Sequence, residues 1–276
     1  MPKHHPRKTG VAATGLLAAG AVAAALAPAA SAFDLKPGDI VVGTYANSSF
    51  GSGSLYVVDP VAGTVTAVPG SDFVSGVGAI AIDHDFNIVV GSYSNSSFGG
   101  GQLYRVNSST NAVSQIGNSD FFNGVSSMHL IDANTAVVGT ASASAFGDGA
   151  LYTVDIQSGA TTRLGPTTSY SHGVGGIGDF DSDNYLVGTQ SVGLGDGALY
   201  TVNKTTGAAT QLGSATFSDS VSALTIRPDG QIIVGSQSNS STGTGRLYTI
   251  DRTTGAASTL GNSTYFNGVS ALNADR

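Results

Sequence analysis

The chain contains no cysteine, no tryptophan and, among its 18 acidic residues, no glutamate. The absence of cysteine excludes a disulfide framework, a cysteine-ligated zinc or iron–sulfur site and a lipid-modified cysteine anchor. The absence of glutamate excludes every catalyst that depends on that residue. Only 11% of the residues are charged and the net charge is −7, whereas phosphate binding needs clustered Lys and Arg. We therefore expect no nucleic-acid partner.

Residues 1–32 have the pattern of a secretory signal peptide. Basic residues precede an apolar run from Val11 to Ala27, and the small-residue sequence Ala30-Ser31-Ala32 follows it. The run is rich in Ala and Gly and is shorter than the roughly 20 residues that a membrane span needs. We expect cleavage after Ala32 and a secreted, extracellular protein of residues 33–276 with no membrane span. Removal of three of the 11 basic residues leaves eight against 18 Asp, a net charge near −10.

The sequence from residue 33 onwards is built from repeats. The motif G-x-G-x-L-Y recurs every 48 residues, with its Leu-Tyr pair at Leu55-Tyr56, Leu103-Tyr104, Leu151-Tyr152, Leu199-Tyr200 and Leu247-Tyr248. A second marker, Val-Gly followed by Thr or Ser, runs in phase with the first and ends at Thr44, Ser92, Thr140, Thr189 and Ser236. Five copies of one supersecondary unit are indicated.

Each unit alternates apolar and polar residues with a period near two, which is typical of short strands. In the second unit we predict strands over 76–82, 88–92, 102–106 and 112–116. Four strands and four connections of about six residues each fill the repeat without room for a helix. The prediction is an all-β, five-bladed β-propeller of four-stranded antiparallel blades, formed as one domain by residues 33–276.

The two ends of the repeat array predict how the ring closes. The array starts with a strand of the second type over 39–44 and finishes with a strand of the first type over 268–274. The C-terminal strand is therefore expected to complete the first blade, which removes open sheet edges and fixes both ends of the chain.

The consensus G-V-S-A-L-x-x-D-x-x-G/N followed by I-V-V-G-S resembles the blades of NHL- and YVTN-type propellers, over residues 33–276. In blade count and repeat length the chain is also similar to the tachylectin-type lectins, in which each blade offers a sugar pocket. This second resemblance implies a carbohydrate-binding function.

Two residues in each connection from the fourth strand to the next first strand are candidates for binding. One is an aromatic residue, four positions before the Val that opens the strand: Phe73, Phe121, Tyr170, Phe217 and Tyr265. The other is a polar residue, two positions before that Val: Ser75, Asn123, His172, Asp219 and Asn267. An aromatic face beside hydroxyl, amide and carboxylate groups suits a sugar. The alternative is that the aromatic residues wedge neighbouring blades together and the polar residues cap strand ends.

One segment resembles the start of a calcium-binding loop. Asp179, Asp181 and Asp183 have the spacing of such a loop, but Gln190 stands where the loop needs a twelfth, acidic ligand. The same segment coincides with a hairpin turn of its blade. Turn formation is the favoured interpretation, with Ca²⁺ the only cofactor that the sequence suggests.

The leading functional hypothesis is a monomeric, non-enzymatic binding module for extracellular glycan or a cell-surface polymer. Five similar weak sites on one rigid body gain avidity against a repetitive ligand. One alternative is a propeller that binds a surface protein or has a structural role. A second alternative is a hydrolase or lyase in which His172 is the base and Asp219 orients it.

Overall fold

The 48-residue repeat folds into a small antiparallel sheet, which we call a blade, and five blades form a propeller ring. The structure is a computed structural model, and it describes residues 33, 35–45, 52–74, 76–93, 100–118, 120–122, 124–141, 148–165, 170–171, 173–190, 196–214, 217–218, 220–237, 244–261, 265–266, 269 and 272. Every regular element within these ranges is a β-strand. None of the described residues belongs to a helix long and apolar enough to cross a membrane.

The main strands of each blade lie side by side in chain order, and the first strand is the inner strand of the ring. Blade 1 contains β1 (Ile40–Gly43), β3 (Leu55–Asp59) and β4 (Thr64–Ala67). Blade 2 contains β6 (Val77–Ile82), β7 (Ile88–Ser92), β9 (Leu103–Val106) and β10 (Val113–Gln115). Blade 3 contains β12 (Val125–Leu130), β13 (Thr135–Thr140), β15 (Leu151–Asp155) and β16 (Thr161–Leu164). Blade 4 contains β18 (Val174–Asp179), β19 (Asn184–Thr189), β21 (Leu199–Asn203) and β22 (Ala209–Gln211). Blade 5 contains β24 (Val221–Ile226), β25 (Ile232–Ser236), β27 (Leu247–Ile250) and β28 (Ala257–Thr259).

The predicted fold class is confirmed, and the strands of the second unit lie within one residue of their predicted bounds. The buried residues form apolar clusters between neighbouring blades. In each cluster the Leu of the Leu-Tyr pair and the Val residues of the second strand are almost fully buried, as for Leu151 and Val138. The second strands of blades 2 to 4 are buried along nearly their whole length, because these blades pack against neighbours on both faces.

The connections between blades contain short strands where the repeat pattern predicted loops. In each case a two-residue strand just before the Leu-Tyr motif pairs with a two-residue strand just before the next blade. The pairs are β2 (Ser52–Gly53) with β5 (Phe73–Val74), β8 (Gly100–Gly101) with β11 (Phe121–Phe122), β14 (Asp148–Gly149) with β17 (Tyr170–Ser171), β20 (Asp196–Gly197) with β23 (Phe217–Ser218), and β26 (Thr244–Gly245) with β29 (Tyr265–Phe266). We call each pair a bridge.

The G-x-G motif exists because the bridge passes very close to other backbone. A Cβ atom on Gly53 would lie 1.9 Å from the carbonyl oxygen of Thr44, and one on Gly101 would lie 2.4 Å from that of Ser92. Any larger residue would force the bridge away from the blade.

The hydroxyl group of the Val-Gly-Thr/Ser marker fastens the base of the connection between the second and third strands. In blade 3 the backbone N–H of Ala150 donates to Thr140 Oγ1 at 2.9 Å, while the N–H of Thr140 donates to the carbonyl of Ala150 at 3.0 Å. The same side-chain bond recurs in every blade, at Thr44, Ser92, Thr140, Thr189 and Ser236. In blades 3 and 4 this bond is buried, and there an amide without an acceptor would destabilise the fold.

The glycine of the same marker makes room for the next blade. A Cβ atom on Gly91 would lie 2.3 Å from Cγ1 of Val125, the residue that opens the inner strand of blade 3. The equivalent contacts are Gly43 with Val77, Gly139 with Val174, Gly188 with Val221 and Gly235 with Val269.

The last of these contacts supports closure of the ring by the C-terminal strand. The N–H of Val269 donates to the carbonyl of Ser236 at 3.0 Å, and the hydroxyl of Ser222 donates to the carbonyl of Val269. Of the predicted strand over 268–274, only Val269 and Leu272 lie within the described residues. Ile40 lies in β1, beside which the C-terminal strand is predicted to pair. Ile40 is 51% exposed, whereas Ile88 at the same position of blade 2 is fully buried.

The turn between the third and fourth strands is also repeated. An Asp or Asn oxygen accepts two backbone N–H groups in each turn, at Asp59, Asn107, Asp155, Asn203 and Asp251. Four residues later the backbone has a positive φ, at Gly63, Asn111, Gly159, Gly207 and Gly255. Blade 2 is the exception because it uses Asn where the others use Gly.

We expect Thr140→Val to lower the free energy of unfolding by about 1–3 kcal/mol, because it leaves the buried N–H of Ala150 without its side-chain acceptor. Thr140→Ser is the matched control, since Ser92 and Ser236 fill the same position with the same bond. Urea unfolding of both variants measures the difference. Equal losses in the two variants would contradict the assigned role of the hydroxyl.

Candidate functional site

The bridges bring two kinds of connection together at one mouth of the ring, which we call the bridged mouth. Each bridge joins the connection between the second and third strands of one blade to the connection that leads into the next blade. At the register of the bridge, Gly101 lies opposite Phe121, and Gly149 lies opposite Tyr170. Five equivalent junctions result, one at each passage from blade to blade.

The three phenylalanines of the predicted aromatic ring point into the protein. Phe73 and Phe121 are each 2% exposed and Phe217 is 1% exposed. Each packs against the tyrosine of a Leu-Tyr pair, as Phe121 does against Tyr152 with ring centroids 5.4 Å apart. They occupy the position of wedges between blades, and none of them offers a free face for stacking on a sugar.

The two tyrosines of the ring are more accessible. Tyr170 is half-buried and contacts Tyr200 edge-to-face, with ring centroids 5.9 Å apart. Burial raises the pKa of Tyr170 to about 12, so its hydroxyl stays protonated at neutral pH and can donate a hydrogen bond. Tyr265 is 37% exposed. These two residues keep the capacity for ligand contact that the sequence pattern predicted for all five.

The predicted polar ring lies outside the described residues at all of its positions: Ser75, Asn123, His172, Asp219 and Asn267. The residue before each of them is described, since each follows a bridge strand by one position. The sugar-binding role of these residues stays a prediction.

The predicted calcium loop is occupied by hydrogen bonds of a turn. Asp181 Oδ1 accepts the backbone N–H groups of Asp183 at 2.9 Å and Asn184 at 2.7 Å, and also the side-chain amide of Asn184. Asp179 is turned towards two basic side chains. Among the described residues no group of three or more acidic or histidine side chains is arranged to hold a metal ion.

Asp179 is the centre of a charged cluster between blades 3 and 4. Its Oδ2 lies 2.9 Å from His129 Nε2 of blade 3, and its Oδ1 accepts a hydrogen bond of 2.9 Å from the Lys204 ammonium of blade 4. Burial alone would raise the pKa of Asp179, but the bonds from Lys204 and His129 outweigh it and hold the pKa below its ordinary value. The carboxylate is therefore ionised at neutral pH.

Tyr185 is the buried member of this cluster. Its side chain is almost fully buried, and the Lys204 ammonium lies 5.0 Å from the centroid of its ring. Burial, together with the negative charges of Asp179 and Asp132, raises the pKa of Tyr185 to about 12. We call His129, Asp179, Tyr185 and Lys204 the inter-blade cluster.

The inter-blade cluster consists of departures from the repeat. His129 stands where other units have Ala81, Gly178 and Thr225, and Asp179 where they have Ile82, Leu130 and Ile226. Tyr185 replaces Ile88, Ala136 and Ile232, and Lys204 replaces Pro60, Ser108, Ile156 and Arg252. Tyr185 and Lys204 were not among the site residues predicted from the sequence. Comparison of the units distinguishes Tyr185 from the aliphatic residues at its position, but not Lys204, because the fifth unit also has a basic residue, Arg252.

No protein-family model matches the sequence, and no curated protein sequence matches it either. Solved structures do resemble the fold. TolB from Acinetobacter baumannii has a TM-score of 0.56 at 16% identity, with 81% of this chain and 52% of that chain covered. A GH74 enzyme from Niastella koreensis has a TM-score of 0.55 at 15% identity, with 80% and 35% covered. An auxiliary nutrient binding protein from Bacteroides thetaiotaomicron has a TM-score of 0.51 at 10% identity, with 79% and 56% covered.

The chain thus spans about half the length of TolB and about a third of the GH74 enzyme. Identities at this level show a shared propeller fold alone. The three proteins include a nutrient binding protein and an enzyme, and the fold is compatible with both.

The ionised Asp179 makes the stability of the protein depend on pH. A depressed pKa adds stability above the ordinary Asp pKa of about 3.9, and that stability is lost as the pH falls through the lower pKa of the folded state. At pH 6 the free energy of unfolding of the wild type should exceed that of Asp179→Asn by less than about 1 kcal/mol, because half of the Asp179 side chain is exposed. The difference should shrink towards pH 3 in urea unfolding.

Asp183→Asn is the control for this prediction, since it removes an exposed carboxylate from the same turn. A difference between wild type and Asp179→Asn that stays constant from pH 3 to pH 7 would contradict the role assigned to the carboxylate.

Proposed function

We propose that the protein is a secreted, non-enzymatic binding module that recognises extracellular glycan through repeated sites at the bridged mouth. The observation that carries the proposal is the equivalence of the junctions, each of which pairs the same two connections in the same register. A repetitive ligand can engage several such sites at once, and the effective concentration within one ring then converts weak contacts into useful avidity.

The chemistry of the connections favours a polyhydroxylated ligand. The segments 46–51 and 94–99 read Ala-Asn-Ser-Ser-Phe-Gly and Ser-Asn-Ser-Ser-Phe-Gly, and each is attached to the blade at the described hydroxyl bond of Thr44 or Ser92. Hydroxyl and amide groups donate and accept hydrogen bonds, as sugar hydroxyls require. Because three of the aromatic residues are buried, hydrogen bonds rather than ring stacking supply most of the recognition.

The net charge narrows the class of glycan. With eight basic residues against 18 Asp after removal of residues 1–32, the protein repels polyanionic chains. A neutral or amino-sugar polysaccharide is therefore the expected ligand class, and sulfated or uronic-acid polymers are expected to bind poorly.

Asn123→Ala should weaken binding to the responsive polysaccharide by about fivefold, which corresponds to about 1 kcal/mol for one lost hydrogen bond. Binding of the purified secreted protein to a glycan array and to insoluble cell-wall polysaccharides, with calcium and with a chelator, identifies that polysaccharide. Ser109→Ala is the matched control, because Ser109 is exposed in a turn at the opposite mouth of the ring. An unchanged affinity in Asn123→Ala would contradict the proposal that the polar ring contacts the ligand.

Absence of binding to every glycan would refute the proposed function. A surface protein would then be the expected partner, which is the alternative that the repeats also allow.

A second candidate, a hydrolase or lyase, is favoured by one observation. The inter-blade cluster sets an imidazole against an ionised carboxylate, a pairing that orients a general base. The base predicted from the sequence, His172, lies outside the described residues and stays a prediction, and the contact with Asp179 makes His129 a further candidate for the base.

Turnover of a chromogenic glycoside or lactone that is abolished in His129→Asn, with an unchanged circular dichroism spectrum, would support the enzyme. Equal turnover in wild type and His129→Asn would assign the cluster to structure alone.

A further inference from the structure

The first described residue, Phe33, is buried at the seam between blades 1 and 2. Its side chain is 4% exposed and belongs to the apolar cluster that contains Leu55 and Phe73 of the blade 1 side and Ile88 of blade 2. Leu35 is buried in the same cluster at 7% exposure. Because burial of apolar side chains stabilises the folded state, this segment contributes to the core.

Asn111 holds the backbone of this residue. The backbone nitrogen of Phe33 donates to Asn111 Oδ1 at 3.0 Å, across 78 positions of sequence. Asn111 has a φ of 60° at the turn position where all other blades have Gly. Because Gly adopts positive φ at lower cost than Asn, the turn alone would select Gly. The bond to Phe33 gives a reason for the asparagine.

The seam between blades 1 and 2 also differs at its rim. At the next seam, a Cβ atom on Gly117 would lie 2.7 Å from the Cα atom of Gly159, so two backbones are in direct contact. At the seam between blades 1 and 2 the equivalent positions are Pro69 and Asn111, so neither of these two glycines is present there. This departure lies at the seam where Phe33 and Leu35 pack.

We propose that Phe33 is the first residue of the mature protein and that this seam is a binding site for its free α-ammonium group and its side chain. The proposal rests on the predicted signal peptide and is independent of glycan binding. A signal peptidase hydrolyses the bond between Ala32 and Phe33. The hydroxyl of water is added to the carbonyl carbon of Ala32, and its proton is added to the nitrogen of Phe33. At neutral pH the products are a carboxylate on Ala32 and an ammonium on Phe33, and the ammonium makes a stronger, charge-assisted bond to Asn111 Oδ1.

The starting residue is tested first. The full chain is secreted from an expression host, and the intact mass of the product is measured. A mass equal to residues 33–276 is expected, and a product that begins at any other residue overturns the proposal.

The site is then tested by resistance to an aminopeptidase that removes N-terminal aromatic residues. The wild-type protein should keep Phe33, and Asn111→Gly should lose it at least tenfold faster although its turn is better suited to positive φ. Asn111→Asp should stay resistant, because a carboxylate accepts from the ammonium and Asp also tolerates this conformation. Ser109→Ala, in the same turn, should behave as wild type.

Equal rates in wild type and Asn111→Gly would overturn the proposal, as would an Asn111→Asp protein as sensitive as Asn111→Gly. If Asn111→Gly is secreted too poorly to assay, Phe33→Ala gives the same readout. Its N-terminal residue lacks the buried ring and should be removed by a broad-specificity aminopeptidase at least tenfold faster than Phe33 of the wild type.

Discussion

The contact between a glycine of one blade and a valine of the next is the constraint on which the ring depends. The valine side chain occupies the space that a Cβ atom on the glycine would need, as Val125 does beside Gly91 at 2.3 Å. Because the valine is the first residue of the inner strand of the following blade, the contact fixes both the distance and the register between neighbouring blades. The interior is close-packed, so an added methyl group at such a glycine has no empty space to enter. The bridges and the hydroxyl bonds of the Val-Gly-Thr/Ser marker then position the connections that leave each blade.

The repeats predicted the blades well because alternation and turn residues are local signals. The strand bounds of blade 2 and the turn built on Asp181 both followed from short stretches of sequence. The bridges were not predicted, because a two-residue strand has no periodicity of its own and forms only against a partner about 20 residues away. For the aromatic residues the sequence left two interpretations open, sugar binding and wedging between blades. Phe121 is buried because it packs against Tyr152, a contact that depends on how the chain returns to the blade.

The repeated features of this molecule and its departures from the repeat lie in different places. The bridged mouth repeats the same junction around the ring, whereas the departures from the repeat are found at particular seams. Asn111 with Phe33 marks the seam between blades 1 and 2, and His129 with Asp179 marks the seam between blades 3 and 4. Equivalent junctions suit a repetitive ligand, and single departures suit tasks that occur once per chain, such as anchoring a terminus or positioning one base. The two kinds of feature therefore support different hypotheses and can be tested separately.

The central claim is that the equivalent junctions bind equivalent parts of a glycan. Isothermal titration calorimetry with a short oligosaccharide cut from the best-binding polysaccharide measures this directly, because a fragment too short to bridge two junctions reports the number of sites. We predict a stoichiometry close to one fragment per junction. A stoichiometry of one fragment per chain would contradict this claim and would indicate a single asymmetric site instead.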